Sequence, residues 1–257
     1  MTNMLTQRLS EQNYIQQLSI DCVIFGYRAR QLSVLVPKLR FKSDFWALPS
    51  GFIDQDEDID VAAQRILRER TGIDDNYLAQ FHVTGKASRN GKAFLDELIR
   101  SNPEFGDGNP AVFQNQQPGL SDYDWFTRRF VSIGYYALVD INRVVPRKNE
   151  LDQSMEWYDI KALPPLIMDH TAIVAKAFET LRLTLDQKGD AFNLLPETFT
   201  MKEVQELYET LLAKSFARNN FQKKILDMNV LERLEKKYTG AANKAPYLYR
   251  LPKETIQ

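Results

Sequence analysis

Two apolar runs rich in β-branched residues, LSIDCVIF (18–25) and LSVLVPK (32–38), have strand length and flank the turn-like break YRARQ, so they predict a β-hairpin. In WALPSGFI, Pro49 and Gly51 punctuate a second hairpin or loop. The spacing then changes to that of a helix over about 61–71. Ala62 and Ile66 recur with Arg65 and Glu69, Asp58 or Asp60 can cap the start, and Gly72 stops it. NYLAQFHVTGKA (76–87) and RFVSIGYYALVDI (129–141) predict further strands. Between them lies an insertion of about 89–127, with a short helix at 92–100 and a loop at 102–124 rich in Asn, Gln, Gly and Pro. MEWYDIKALPPLIMDH (155–170) predicts one last strand and a Pro-broken turn, followed by a helix over 171–187.

The pattern breaks at QKGDAFNLLPETFT. Beyond it come a helix from Met201 to Ala213 with Thr200 as cap, a second from Arg218 to Met228, and a small hairpin in the tail. The expected class is α+β, with domains at 1–188 and 189–257. Helix, turn, helix and hairpin is the layout of a winged helix, whose second helix enters the major groove while the wing lies on phosphates; small interaction domains share this layout.

Composition adds bounds. At 257 residues with 44% apolar and 26% charged, the chain can build a real core. Its single cysteine, Cys22, excludes an internal disulfide or a cysteine metal cluster and reads as a buried thiol in a reducing cytoplasm. The polar N-terminus lacks a signal-peptide pattern and no run approaches a membrane span, so the expected setting is cytoplasmic, without membrane. Net charge is −1, but from Ala213 to Lys253 ten Lys and Arg face three acids, a local +7 that suits an anionic partner or a solvated basic face.

Residues 51–73, GFIDQDEDIDVAAQRILRERTGI, carry the chemistry. They resemble the Nudix hydrolase box, G-x5-E-x7-R-E-U-x-E-E-x-G-U with U a bulky aliphatic, at Gly51, Glu57, Arg65, Leu67, Glu69, Gly72 and Ile73. FWALPSGF just before it resembles the family's strand and turn, with Ser50 where a glycine is usual. The resemblance implies a Nudix α/β/α sandwich with a mixed sheet. In the hydrolases three glutamates of the box gather on one helical face and hold divalent cations that polarise a pyrophosphate. Here those positions hold Ile66, Glu69 and Arg70, and a lone carboxylate beside a guanidinium is a poor Mg²⁺ site. Hydrolysis by that route is expected to be absent, with no metal and no cofactor. Arg70 is instead expected to help hold an anionic or polyhydroxylated ligand, against the plainer reading of Glu69 and Arg70 as surface pairs and Ile66 as core.

A Nudix domain without its acids, joined to a basic winged helix, resembles the Nudix-related transcriptional regulators of bacteria, which control NAD-metabolism or sugar-utilisation genes. The resemblance extends through FVSIGYYALVDI, LPPLIMDH, FNLLPETFTMKEVQELYETL, NNFQKKI and KAPYLYRL. It implies a ligand-responsive regulator, with repression the default, that binds duplex operator DNA as a homodimer. It also implies an effector pocket in the Nudix domain, for which Arg65, Glu69, Arg70, Arg129 and Tyr135 are candidates. A sugar or sugar phosphate is favoured over an ADP-ribose-like nucleotide, because the glutamate cluster is gone. NNFQKKI matches the recognition helix at Asn220, Phe221 and Lys224, but Asn219 and Gln222 stand where family members commonly carry Arg, which implies a different operator or weaker phosphate contacts. Phe221 and Ile225 read as core anchors. The DNA-facing candidates are Arg218, Asn219, Asn220, Gln222, Lys223 and Lys224, with Lys236, Lys237 and Lys244 on the wing. His82 and His170 read as structural. Two other classes stay open: a Nudix hydrolase recruiting Glu57, Asp60, Asp96 or Glu97, and an RNA-binding or protein-docking module.

Overall fold

The computed structural model describes residues 12–73, 77–102, 122–185, 189–237 and 245–252. The first hairpin forms as the apolar runs require: β1 (Leu18–Arg28) pairs antiparallel with β2 (Gln31–Leu39). Its turn residues Ala29 and Arg30 have φ of 51° and 62°, the left-handed pair that a tight two-residue hairpin needs. WALPSGFI is a loop with a two-residue strand, β3 (Ser50–Gly51), on β1. Helix α1 (Ile59–Thr71) follows, with Asp58 at the cap position but making no side-chain cap bond, and with Asp60 in its first turn. Gly72 ends α1 at φ 72°, the left-handed conformation that only glycine adopts without strain.

β4 (Tyr77–Thr84), the insertion helices α2 (Lys92–Ser101) and α3 (Asp122–Thr127), β5 (Val131–Val139), β6 (Asp152–Asp159) and α4 (His170–Thr184) complete the first unit. Most of the predicted loop at 102–124 lies outside the described residues. The sheet runs β4-β5-β1-β2-β6, with β1 and β5 parallel and the other neighbours in that order antiparallel. This is a mixed Nudix sheet between two helical layers. Alternation along β1 divides the core: Cys22 and Ile24 face α1, while Val23 and Phe25 face α4. Both faces of the strand are therefore buried, which is why its sequence is a nearly unbroken apolar run. Burial also pushes the Cys22 thiol up, away from reactivity.

The second unit is a winged helix. β7 (Phe199–Thr200) leads into α5 (Met201–Leu212), where Thr200 and Glu203 form a reciprocal capping box. Ala213, at φ 50°, turns the chain toward α6 (Arg218–Asp227). β8 (Glu232–Lys236) and β9 (Tyr247–Arg250) form the predicted hairpin and join β7 in a three-stranded sheet, while its tip lies outside the described residues. One hydrophobic core runs through both units: Val23, Phe25 and Leu181 pack in the same cluster as Phe192, Leu207, Tyr208 and Phe221. Tyr208 Oη, on α5, donates to the Leu185 carbonyl just past α4, 3.1 Å away. Tyr77 Oη donates to Asp190 at 2.8 Å, and Arg30 pairs with Glu206 and Glu209. Among the described residues no helix is long and apolar enough to cross a membrane.

Candidate functional site

Helix α1 sorts the box residues onto separate faces. Arg65 grips both Glu57 oxygens, at 2.8 and 2.7 Å, and donates to the Phe52 carbonyl at 2.9 Å, tying the loop before α1 to the helix. Glu69 lies on the same face, half exposed and 3.8 Å from Arg65. Ile66 is buried beneath Gly51, where a Cβ would come within 2.7 Å of Cδ1 of Ile66, so the close approach of loop and helix requires glycine. Arg70 points the other way. Its side chain is 7% exposed, its Nη2 lies 2.6 Å from Asp152 Oδ2, and its Nε and Nη1 are buried without an acceptor.

Arg70 and Asp152 line a cavity of about 280 Å³ at one end of the sheet. Its mostly apolar wall carries the rings of Phe52, Phe94, Phe126 and Phe130, and Phe94 comes from α2 of the insertion. The insertion therefore builds part of this cavity. Its neck is closed by Gly91 N–H to the Phe126 carbonyl and Phe130 N–H to the Arg89 carbonyl, both 3.0 Å.

A buried polar cluster forms the cavity's floor. Asp21, 2% exposed in the middle of an apolar run, accepts from Ser50 Oγ at 2.6 Å, from Ser132 Oγ and from Arg89 Nη2 at 3.1 Å. Arg89 Nε reaches Asp169 at 3.0 Å. His170 Nδ1 accepts the Leu48 N–H at 2.9 Å, which leaves the proton on Nε2, 3.7 Å from Asp21. Burial pushes the His170 pKa down, against the pull of Asp21 and Asp169, so the ring is neutral. Burial also disfavours the Asp21 carboxylate, but His170 once it is protonated at low pH, the two serine hydroxyls and Arg89 outweigh it and hold its pKa below the ordinary range. Ser50, the departure from the usual glycine, thus supplies a hydroxyl to a buried carboxylate. Burial moves Asp152 the other way, upward, despite Arg70.

Of the five ligand candidates the cavity contains Arg70. Tyr135 lies beneath α1 and donates to Asp60; exposed Arg129 donates to the Gly85 carbonyl at 2.6 Å beside the insertion neck. Arg65 and Glu69 stay on the outer face of α1. The four acids considered for a hydrolase are held apart: Glu57 by Arg65, Asp60 by Tyr135, Asp96 by Lys92 and Tyr123, and Glu97 by Arg100 and Ser101. Among the described residues no three His, Cys, Asp or Glu side chains are arranged to hold a metal ion. Sequence reasoning missed Asp21, Arg89 and Asp152 and took His170 as structural. The one available signal was a carboxylate inside an apolar strand.

On the winged helix, Phe221 and Ile225 are buried and anchor α6, with Phe221 edge-on to Tyr208 at 5.3 Å. Arg218, Asn219, Asn220, Lys223 and Lys224 are exposed and Gln222 is half-buried, so α6 turns a polar, basic face outward. Lys236 and Lys237 lie at the end of β8, and Lys244 lies outside the described residues. The ring of Tyr247, 40% exposed, stacks under Arg233 at 4.7 Å and Lys236 at 5.4 Å, an aromatic-cation surface on the wing that sequence reasoning did not single out.

A mixed sheet between helical layers, a box stripped of its acids and a winged helix define a Nudix-type regulator architecture. Residues 16–181 match the NUDIX domain family, and the chain belongs to it; residues 191–251 match the NrtR DNA-binding winged helix domain. The chain is 25% identical over 240 residues to the ADPR responsive transcriptional repressor NtrR of Acinetobacter baylyi, covering 91% of this chain and 81% of that protein. It superposes on Shewanella oneidensis NrtR in a crystal structure with a 27mer DNA, with a TM-score of 0.70 and 23% identity, covering 92% and 94% of the two chains. A MutT/nudix family protein from Enterococcus faecalis is similar in fold, with a TM-score of 0.63 and 18% identity, covering 96% of this chain and 91% of that one.

Proposed function

We propose that the chain is a DNA-binding transcriptional repressor whose Nudix domain senses a small metabolite instead of hydrolysing one. The observation that carries this reading is the outward face of α6. Arg218, Asn219, Asn220, Gln222, Lys223 and Lys224 stand on the buried anchors Phe221 and Ile225, presenting amide and cationic side chains at recognition-helix spacing. Lys236 and Lys237 extend this face along the wing toward phosphates, and Lys244 belongs to the same proposal by sequence. Like other winged helices that read palindromic half-sites, the protein acts as a homodimer on a near-palindromic operator.

The effector is ADP-ribose-like. Four phenylalanine rings beside a buried guanidinium suit a molecule with a flat base and an anionic group better than a bare sugar, which offers neither. The A. baylyi relative's description as ADPR responsive supports the same choice. This reverses the preference for a sugar or sugar phosphate that the missing glutamates suggested. Coupling has a physical route: α4 begins at His170 on the cavity floor and ends where Leu185 accepts Tyr208 of α5.

Fluorescence anisotropy of the purified protein with duplexes from upstream of its own and adjacent genes, against a scrambled duplex at two salt concentrations, tests the reading. Specific binding that survives physiological salt and is released by ADP-ribose is expected. Equal, salt-erased binding to both duplexes would overturn it.

A further inference from the structure

Two guanidiniums line the cavity, and they are in different states. Arg89 is held at Nε by Asp169 and at Nη2 by Asp21, inside the hydroxyl-lined cluster of the floor. Arg70 is held at Nη2 alone, and its Nε and Nη1 are buried without an acceptor. A guanidinium is a fork of five N–H donors that cannot lose its proton, and burying its donors unmet is unfavourable. A folded chain tolerates such a group where an acceptor arrives from outside it.

The chemistry of the fork narrows that acceptor. Each edge by which a guanidinium grips two oxygens at once includes Nη2, and Asp152 occupies Nη2. Nη2 carries one N–H on each of these edges, so a phosphate that takes the edge on which Asp152 sits competes with it. Asp152 is poorly suited to win. Its carboxyl is buried at the head of β6, where desolvation disfavours its charge by more than Arg70 and the Asn149 N–H, 2.8 Å away, favour it.

We propose that Arg70 is the receptor for the effector's phosphate oxygens, and that Asp152 is a stand-in anion which the phosphate displaces. The ligand class is a nucleotide-like di- or monophosphate whose base lies among the phenylalanine rings. The proposal rests on the reading of this cavity as the effector site. Binding then needs no metal ion, because the cation is part of the chain.

Isothermal titration of ADP-ribose and of adenosine, its uncharged fragment, against the full-length protein tests this. Arg70→Met should weaken ADP-ribose by about 10- to 100-fold, the value of a lost charge-assisted hydrogen bond, and leave adenosine unchanged. Asp152→Asn, which removes the competitor, should tighten ADP-ribose. Wild-type affinity for ADP-ribose should be the same in EDTA and in Mg²⁺. Because Arg70→Met leaves Asp152 buried and unpaired, the double variant Arg70→Met with Asp152→Asn serves if the single variant does not fold, and it should show the same selective loss. Wild-type ADP-ribose affinity in the folded Arg70 variants, or an equal loss for both ligands, overturns the role of Arg70 while the cavity stands. Failure of the wild-type protein to bind either ligand removes the cavity reading itself and this proposal with it.

Discussion

The cavity floor and the outer face of α6 are both rich in charge, yet they obey opposite rules. Asp21, Arg89 and His170 are buried, and each is compensated by named neighbours. Arg218, Lys223 and Lys224 are exposed and rest on an apolar foundation that needs none of them. Charge in the cavity is thus bound up with stability, because removing one member strands another in low dielectric. Charge on α6 faces water, so changing it strands no buried group. The difference separates fold from function experimentally: variants at one end should move both, and variants at the other should move binding alone.

The largest effect is expected at Asp21. Replacing it with Ala leaves Arg89 without its main countercharge and orphans the hydroxyls of Ser50 and Ser132. Loss of one partner of a buried pair costs about 3–5 kcal/mol. Urea unfolding should show that drop, and a loss below 1 kcal/mol would mean the cluster is wetter than its burial indicates.

On α6, Gln222→Ala should cost about 1–3 kcal/mol of specific DNA affinity, as for a side chain reading a base edge. Lys223→Ala should instead weaken all duplexes alike and reduce the salt slope by about one. The melting temperature should stay at the wild-type value in both, and a shift of several degrees would break the contrast between the two regions.

The third effect is a pH slope. Burial holds the His170 pKa below its ordinary value of 6.5, so the unfolded chain takes up a proton that the folded chain refuses. Stability should be full above about pH 6.5 and fall as pH falls beneath it. Asp21, also lowered, has the same sign but begins to act only near its unfolded value of 3.8, whereas raised Asp152 acts in the opposite sense, losing stability as pH climbs above 3.8. His170 is faced by Asp21, Asp169 and Arg89, and measuring in an Asp152→Asn background removes the opposing slope of Asp152. His170→Gln should flatten the slope below about pH 6.5, and an unchanged slope would assign it elsewhere.

The same contrast explains what could be read from the sequence. α6 was legible because its anchors and its outward residues sit within one helix, so helical spacing alone sorts Phe221 and Ile225 from Asn219 and Lys223. The Nudix sheet was legible because buried strands write themselves as apolar runs. The cavity floor was not, because Asp21, Arg89, Asp152 and His170 come from four separated segments and meet only when the sheet closes. Box spacing placed Glu69 and Arg70 together as neighbours, but adjacent helical positions point about 100° apart, and one faces solvent while the other faces the cavity. The preference for a sugar weighed the missing carboxylates without the aromatic wall, part of which comes from the insertion and on which the proposed ADP-ribose-like effector rests.

The smallest effect tests the seam between the two regions. Arg30 sits at the β1–β2 turn with φ 62°, a conformation that costs a residue with a side chain about 1–2 kcal/mol relative to glycine. Its side chain, 57% exposed, meets Glu206 at 3.7 Å and Glu209 at 2.8 Å on α5. Such exposed pairs contribute about 0–1 kcal/mol each. Arg30→Gly relieves the first cost and forfeits the second, so the two nearly cancel and the urea midpoint should hardly move. Arg30 then contributes something other than stability: it joins the β1–β2 hairpin to α5, the helix that packs against α6. Arg30→Gly should accordingly leave ADP-ribose affinity and DNA affinity each close to wild type while reducing the effect of one ligand on the other. Unchanged release of DNA by ADP-ribose in that variant would leave the route through α4 and Tyr208 as the carrier of the coupling.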